Sequence, residues 1–177
     1  MTIEIKEKGT KEFYEEVVNV TSQYKKLINN PGMNLRNNFR SLRQYIVVCA
    51  FFLIALIVMG IMWGMDTMSV VGIVLMVIVI ALCGFLLFNM RSMVGKYLAD
   101  ERTSVVTLDE NGVELEKEGS QVVRLAWDSI AFVRVFKESV CFVSKDVAGL
   151  VLAINKGYQQ QILDYLRTNE QSVKVIG

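Results

Sequence analysis

Two long uncharged runs constrain this chain more than any other feature. Residues 46–63 and 70–88 contain no Asp, Glu, Lys or Arg. As helices, each reaches roughly 27–29 Å, close to the ~30 Å hydrocarbon core of a bilayer. The first run holds eleven Leu, Ile, Val or Phe, and the second holds fourteen. At the centre of a spanning helix each such residue favours insertion by about 0.3–0.6 kcal/mol. The totals are on the order of 3–7 and 4–8 kcal/mol, as upper bounds. Helices apolar on every face cannot both be covered by a small soluble domain. The expectation is therefore a membrane hairpin.

Residues 64–69, Gly-Met-Asp-Thr-Met-Ser, are long enough only for a turn, so the two helices are antiparallel neighbours. Asp66 is the sole charge between Arg43 and Arg91. A charge at the bilayer centre costs about 2.5–3.5 kcal/mol, which assigns Asp66 to the far interface. Lys26, Arg36, Arg40, Arg43, Arg91, Lys96 and Arg102 all flank the near side. The positive-inside rule then places both termini in the cytoplasm of a cell-membrane protein. Tyr45 and Trp63 bracket the first run as interfacial aromatics. The run starts too late for a cleaved leader and is expected to act as an uncleaved anchor. Gly60 and Gly64 form a small-xxx-small pair suited to helix packing, within the hairpin or between two copies.

The flanking segments read differently. Residues 2–6 alternate as a short strand. Gly9-Thr10 opens an amphipathic helix of about 18 residues with Thr10 as its cap. Phe13, Val17, Val20, Tyr24 and Leu27 form its apolar stripe, expected to pack on the soluble domain. Asn29-Asn30-Pro31-Gly32 ends it. Leu35, Phe39 and Leu42, interleaved with Arg36, Arg40 and Arg43, suggest a further helix leading through the headgroup layer into the first span.

From residue 103 the period becomes two. Val113 and Leu115 alternate with Glu114 and Glu116, and Val123, Leu125 and Trp127 share one parity. Asp109-Glu110-Asn111-Gly112 is a hairpin turn, with Gly112 at its tight position, and Gly119 marks a second. Further strands are expected over 130–137, 140–144 and 150–154, then a helix over 158–167 with Tyr158, Ile162, Tyr165 and Leu166 on one face. Trp127, Ile130, Tyr158 and Ile162 are the expected core anchors.

Three stretches carry a resemblance. Leu108-Asp-Glu-Asn-Gly112-Val, Trp127-Asp-Ser-Ile130 and Leu152-Ala-Ile154-Asn-Lys156-Gly-Tyr158 resemble the YcxB-like C-terminal domain of small bacterial membrane proteins. The layout of N-terminal strand and helix, two-span hairpin and C-terminal domain is similar too. The resemblance implies a pleckstrin-homology-like barrel closed by the last helix. Asn155 departs from the family, which usually has proline there. The family has no common activity to carry over.

The expected fold class is thus α+β. Its parts are an N-terminal segment over 1–45, spans over 46–63 and 70–90 joined by the 64–69 turn, and a small antiparallel β-barrel domain over 103–168. Catalytic chemistry finds no foothold. The chain has no histidine, which removes the commonest acid–base catalyst and metal ligand. Cys49, Cys83 and Cys141 lack metal-ligand spacing. Asp109-Glu110, Glu114-Glu116 and Trp127-Asp128 read as a solvated turn, an outer strand face and a core residue beside a capping aspartate. No cofactor, metal or small-molecule substrate is indicated. Eleven Lys/Arg against eight Asp/Glu in residues 1–102, and eight against ten in 103–177, give +3 and −2; this balance recruits no nucleic acid but suits anionic lipid beside the spans. Three function classes follow: a membrane-tethered binding or regulatory module with a protein or lipid partner, an immunity-type protein guarding the membrane against a toxin, and a membrane enzyme. The spans carry no ionisable side chain, which argues against a single-chain transporter.

Overall fold

The computed structural model describes residues 3–7, 9–64, 66–100, 104–117, 122–168 and 173–176. The chain divides into two compact units, Arg36–Met93, and Met1–Leu35 together with Val94–Gly177.

The first unit is α3 (Asn38–Trp63) with α4 (Thr67–Ala99) as far as Met93; the last turns of α4 belong to the second unit. Local signals set their ends. The Asn37 side chain accepts from the Arg40 N–H at 3.0 Å and caps α3. Gly64 stops it with φ of 89°, a value that favours glycine. The Asp66 carboxylate accepts from the Ser69 N–H at 2.8 Å and starts α4. Gly60 is buried in α3, whereas Gly64 is exposed and forms the helix end rather than a packing position. A Cβ on Gly72 would stand 3.5 Å from Leu56, so the helices touch there. Both helices are long and apolar enough to cross a membrane, and both outrun the uncharged sequence that announced them. Phe51, Ile61, Leu75 and Phe88 are each more than half exposed.

The second unit holds eight strands and three helices among the described residues. Strand β1 (Ile3–Glu7) pairs antiparallel with β2 (Ser104–Asp109), so the N-terminal strand joins the later domain. Strands β3 (Gly112–Lys117) and β4 (Val123–Ala126) complete a sheet of order β1-β2-β3-β4. The β2–β3 turn is built by Asp109, whose carboxylate accepts from the N–H groups of Asn111 and Gly112 at 2.8 and 3.0 Å. Gly112 must be glycine: a Cβ there would run into the Leu125 carbonyl oxygen and approach the Ala126 Cα to 2.9 Å. Gly119 lies outside the described residues.

A second sheet has the order β7-β6-β5-β8, from β5 (Ile130–Val135), β6 (Ser139–Ser144), β7 (Val151–Asn155) and β8 (Val175–Ile176). The expected closed barrel is therefore corrected to two open sheets. The ladder of β4 ends at Ala126 because Trp127–Ser129 winds into one 3-10 turn, and the chain enters the other sheet at Ile130. Such a turn breaks the extended geometry that a strand ladder requires. A second 3-10 turn, Lys156–Tyr158, leads into α5 (Gln159–Thr168).

Two apolar clusters hold this unit together. One joins Val106, Leu108 and Val113 of the first sheet to Val133, Phe142 and Ile154 of the second, with Ile162, Tyr165 and Leu166 of α5. The other covers the opposite face of the second sheet, where Phe132, Cys141 and Val143 meet Val20, Tyr24 and Leu27. The amphipathic segment thus packs on the domain, as expected, but as two helices, α1 (Lys11–Ser22) and α2 (Tyr24–Asn29), broken at Gln23. Long-range hydrogen bonds fix it: the Tyr24 hydroxyl donates to the Ser144 carbonyl at 2.6 Å, and Arg134 Nη1 donates to the Pro31 carbonyl at 2.6 Å. Arg134 also lies over the Phe136 ring, 4.8 Å from its centroid. Burial lowers its pKa from the ordinary arginine value, and the two contacts compensate for lost hydration.

Candidate ligand-binding cleft

Helix α1 packs against β6 and β7, and beside it a gap lies between residues of the two sheets. The gap is a cleft of about 150 Å³ lined by Gly9, Phe13, Tyr14, Val17, Tyr97, Ser104, Val106, Leu115, Val151 and Ala153. Its floor comes from β2, β3 and β7, and its lip from α1 and the last turns of α4. Sequence explains the lip. Thr10 caps α1 through its hydroxyl, which accepts from the Phe13 N–H at 3.2 Å, and so places Phe13 and Tyr14 in the first turn. Phe13 meets Tyr14 edge-on at 5.3 Å, and Tyr14 stacks on Tyr97 at 5.4 Å. The Tyr14 hydroxyl accepts from the Gly9 N–H at 3.3 Å. A Cβ on Gly9 would meet Tyr14 Cζ at 2.8 Å, so a larger residue would push the aromatic lip aside.

One turn along, α1 is held by an acid. The Glu16 carboxylate accepts from the N–H groups of Lys137 and Glu138 at 3.1 and 3.0 Å and from the Ser139 hydroxyl at 2.6 Å. These donors form the β5–β6 turn. Hydrogen bonds to an ionised acceptor are the stronger kind, so this clamp fixes the height of α1 above the cleft. Ser139 also lies 3.3 Å from the Cys141 sulfur. Burial pushes the Cys141 thiol up to about 12, against a small opposing effect of that hydroxyl. Cys141 is thus a neutral packing group.

Among the described residues, the lining contains no carboxylate, cationic or thiol side chain. Its chemistry is that of an apolar slot with phenol and hydroxyl groups at the edge, which sorts ligands by shape and apolar area. The anchors expected from sequence lie elsewhere. Ile130 and Ile162 are buried in the first cluster, with Trp127 and Tyr158 packed against it. Trp127 sits in the 3-10 turn rather than on β4. Its indole stacks on Tyr165 at 6.2 Å, and its Nε1–H donates to the Asp109 carbonyl at 2.9 Å. Sequence reasoning did not find Tyr14, Tyr97 or Glu16 as a group. Only the Gly9-Thr10 helix start pointed toward the lip, and Tyr97 is brought to it by folding alone. Comparison with protein-family models, with curated proteins and with solved structures gives no match to this chain.

Proposed function

We propose that this protein is a membrane-anchored, non-enzymatic binding module. In this reading α3 and α4 cross the cell membrane as a hairpin, both termini face the cytoplasm, and the cleft beneath Tyr14 and Tyr97 receives an apolar group of a ligand or partner. The observation that carries it is the contrast in exposure: the two helices leave most of their large apolar side chains exposed, whereas the compact unit buries most of its own. A bilayer is the solvent in which that surface is stable. The seven basic residues near the helix ends, with Asp66 the one charge at the turn, support the orientation.

The YcxB-like, pleckstrin-homology-like reading belongs to the same proposal. Two sheets that change at Trp127, with a final helix on the shared core, support it. Asn155 supports it too, because it holds φ of −60°, the value a proline ring enforces, while its side chain accepts from the Gly157 N–H at 2.9 Å.

Reporter fusions at residues 66 and 177 test the orientation, and an exported-only reporter active at residue 177 refutes it. The cleft is tested with benzene-sized probes, the scale that a cavity on the order of 150 Å³ admits. The full chain in detergent should melt higher with such a probe, and Val17→Phe, which fills the slot, should abolish that shift. An unchanged shift in the variant would exclude the cleft.

A further inference from the structure

The edge of β5 away from β6 is occupied by the chain's own tail. Strand β8 pairs with it in parallel, Val133 opposite Val175 and Arg134 opposite Ile176. The Val133 N–H donates to the Lys174 carbonyl at 2.9 Å. Side chains of the segment alternate across the sheet, as a strand requires. Val173 packs on the cluster shared by the two sheets, and Ile176 packs on the cluster beneath α1 and α2. Four residues therefore place one apolar anchor on each face of the sheet and share one short ladder with β5.

This differs from how the other strands are held. β6 registers with five residues of β5 on one side and five of β7 on the other, whereas β8 registers with two residues of β5 and leaves Val175 exposed. Parallel pairing is also slightly weaker per residue. The arrangement is that of a peptide recognised by strand addition, in which main-chain bonds give affinity and alternate side chains give specificity.

We propose that the β5 edge, with the two apolar clusters against which Val173 and Ile176 pack, is a docking site for an extended protein segment with apolar residues at its first and fourth positions. The tail Val173-Lys174-Val175-Ile176 occupies this site in cis and must leave for a partner strand to enter. The occupant is polypeptide, because the polar contact on offer is that of a strand edge. The inference depends neither on the cleft beneath Tyr14 nor on the membrane reading.

The test uses the full chain in detergent micelles and a fluorescein-labelled peptide of residues 171–177. A tethered tail competes at an effective concentration in the millimolar range, so wild type should bind the peptide at least about tenfold more weakly than a Val173→Asp, Ile176→Asp double variant. A peptide with the same two aspartates should bind neither. Amide exchange at Val133 should quicken about tenfold or more in the variant and slow again with excess peptide. Equal affinity of the two chains, no saturable binding to the variant, or an unresponsive Val133 amide overturns the proposal. A third measurement needs no substitution in the fold. A fluorophore at the C-terminus of the wild-type chain should lose anisotropy when peptide on the order of 1 mM displaces the tail. Constant anisotropy there counts against the proposal even if the double variant fails to fold.

Discussion

Helix α4 and strand β6 are both built largely from uncharged residues, yet they treat those residues in opposite ways. Every residue of β6 is buried, the two serines included. Of the 33 residues of α4, Val94 is the buried one. The difference lies in the backbone. A strand satisfies its N–H and C=O groups only through neighbours, so β6 sits between β5 and β7, and the layers above and below then cover its side chains. Val140 and Phe142 enter one cluster, and Cys141 and Val143 the other. A helix satisfies its backbone internally and can present its whole apolar surface to an apolar solvent. Apolar sequence therefore means core in one region and uncovered surface, of the kind a bilayer would accept, in the other.

The strongest way to break this comparison is to hollow out β6. Phe142→Ala should cost about 3–5 kcal/mol, the range for truncating a buried aromatic ring. Thermal unfolding followed by Trp127 fluorescence should show the compact unit largely destabilised, while α3 and α4 remain membrane-associated. Loss of membrane association in this variant would mean that the two regions are not independent.

The converse change is Val79→Arg in the middle of α4. It should oppose insertion by about 2.5–3.5 kcal/mol and raise the fraction extracted by alkaline carbonate, with the melting of the compact unit unchanged. If extraction stays at the wild-type level, α4 does not face lipid at that position.

Glu16→Ala sharpens the comparison within the compact unit. It strands the two N–H groups and the hydroxyl that the carboxylate now holds. The expected loss is about 1.5–3 kcal/mol, the scale of hydrogen bonds to a charged group. Glu16→Gln should recover part of it in the same melting assay, because the amide oxygen still accepts. Equal losses for the two variants would assign the clamp no specific value.

At neutral pH the smallest effect is that of the Cys141 thiol in the centre of β6, because its consequence appears only above about pH 9. An ordinary thiol ionises near 9.0, the folded one only near 12. Between those values the unfolded chain alone releases its proton. Stability is fully present below about pH 9 and falls by about 1.4 kcal/mol per pH unit as pH rises toward the folded value. Cys141→Ala should flatten that part of the pH–stability curve relative to wild type. Parallel curves would show that the thiol is hydrated in the folded state.

Much of the secondary structure was legible before any coordinates. The uncharged runs marked α3 and α4, Thr10 marked the start of α1, the Asp109–Gly112 stretch marked a hairpin, and period-two alternation marked β3. Each rests on interactions between residues close in sequence, and such interactions are written locally. Strand β6 was less legible as a core element, because burial on both faces erases alternation and nothing within residues 139–144 says what covers the second face. Trp127 shows the same limit. Parity aligned it with Val123 and Leu125, but its indole reaches the core from a 3-10 turn, positioned by Tyr165 and the Asp109 carbonyl.

What the sequence by itself determined, then, is where the chain is apolar throughout, where it alternates and where it turns. Steric preference, helix capping and hydropathy act within a few residues of one another. Only the tertiary structure decided that β1 joins a sheet made mostly of residues beyond 103, that two open sheets replace a closed barrel, and that Tyr14 and Tyr97 stack over one cleft. It also decided that the tail completes the β5 edge. These depend on which surfaces meet after the chain folds back, and the free energy of such meetings is carried by contacts between residues far apart in the chain, as Glu16 and Ser139 are at a separation of 123.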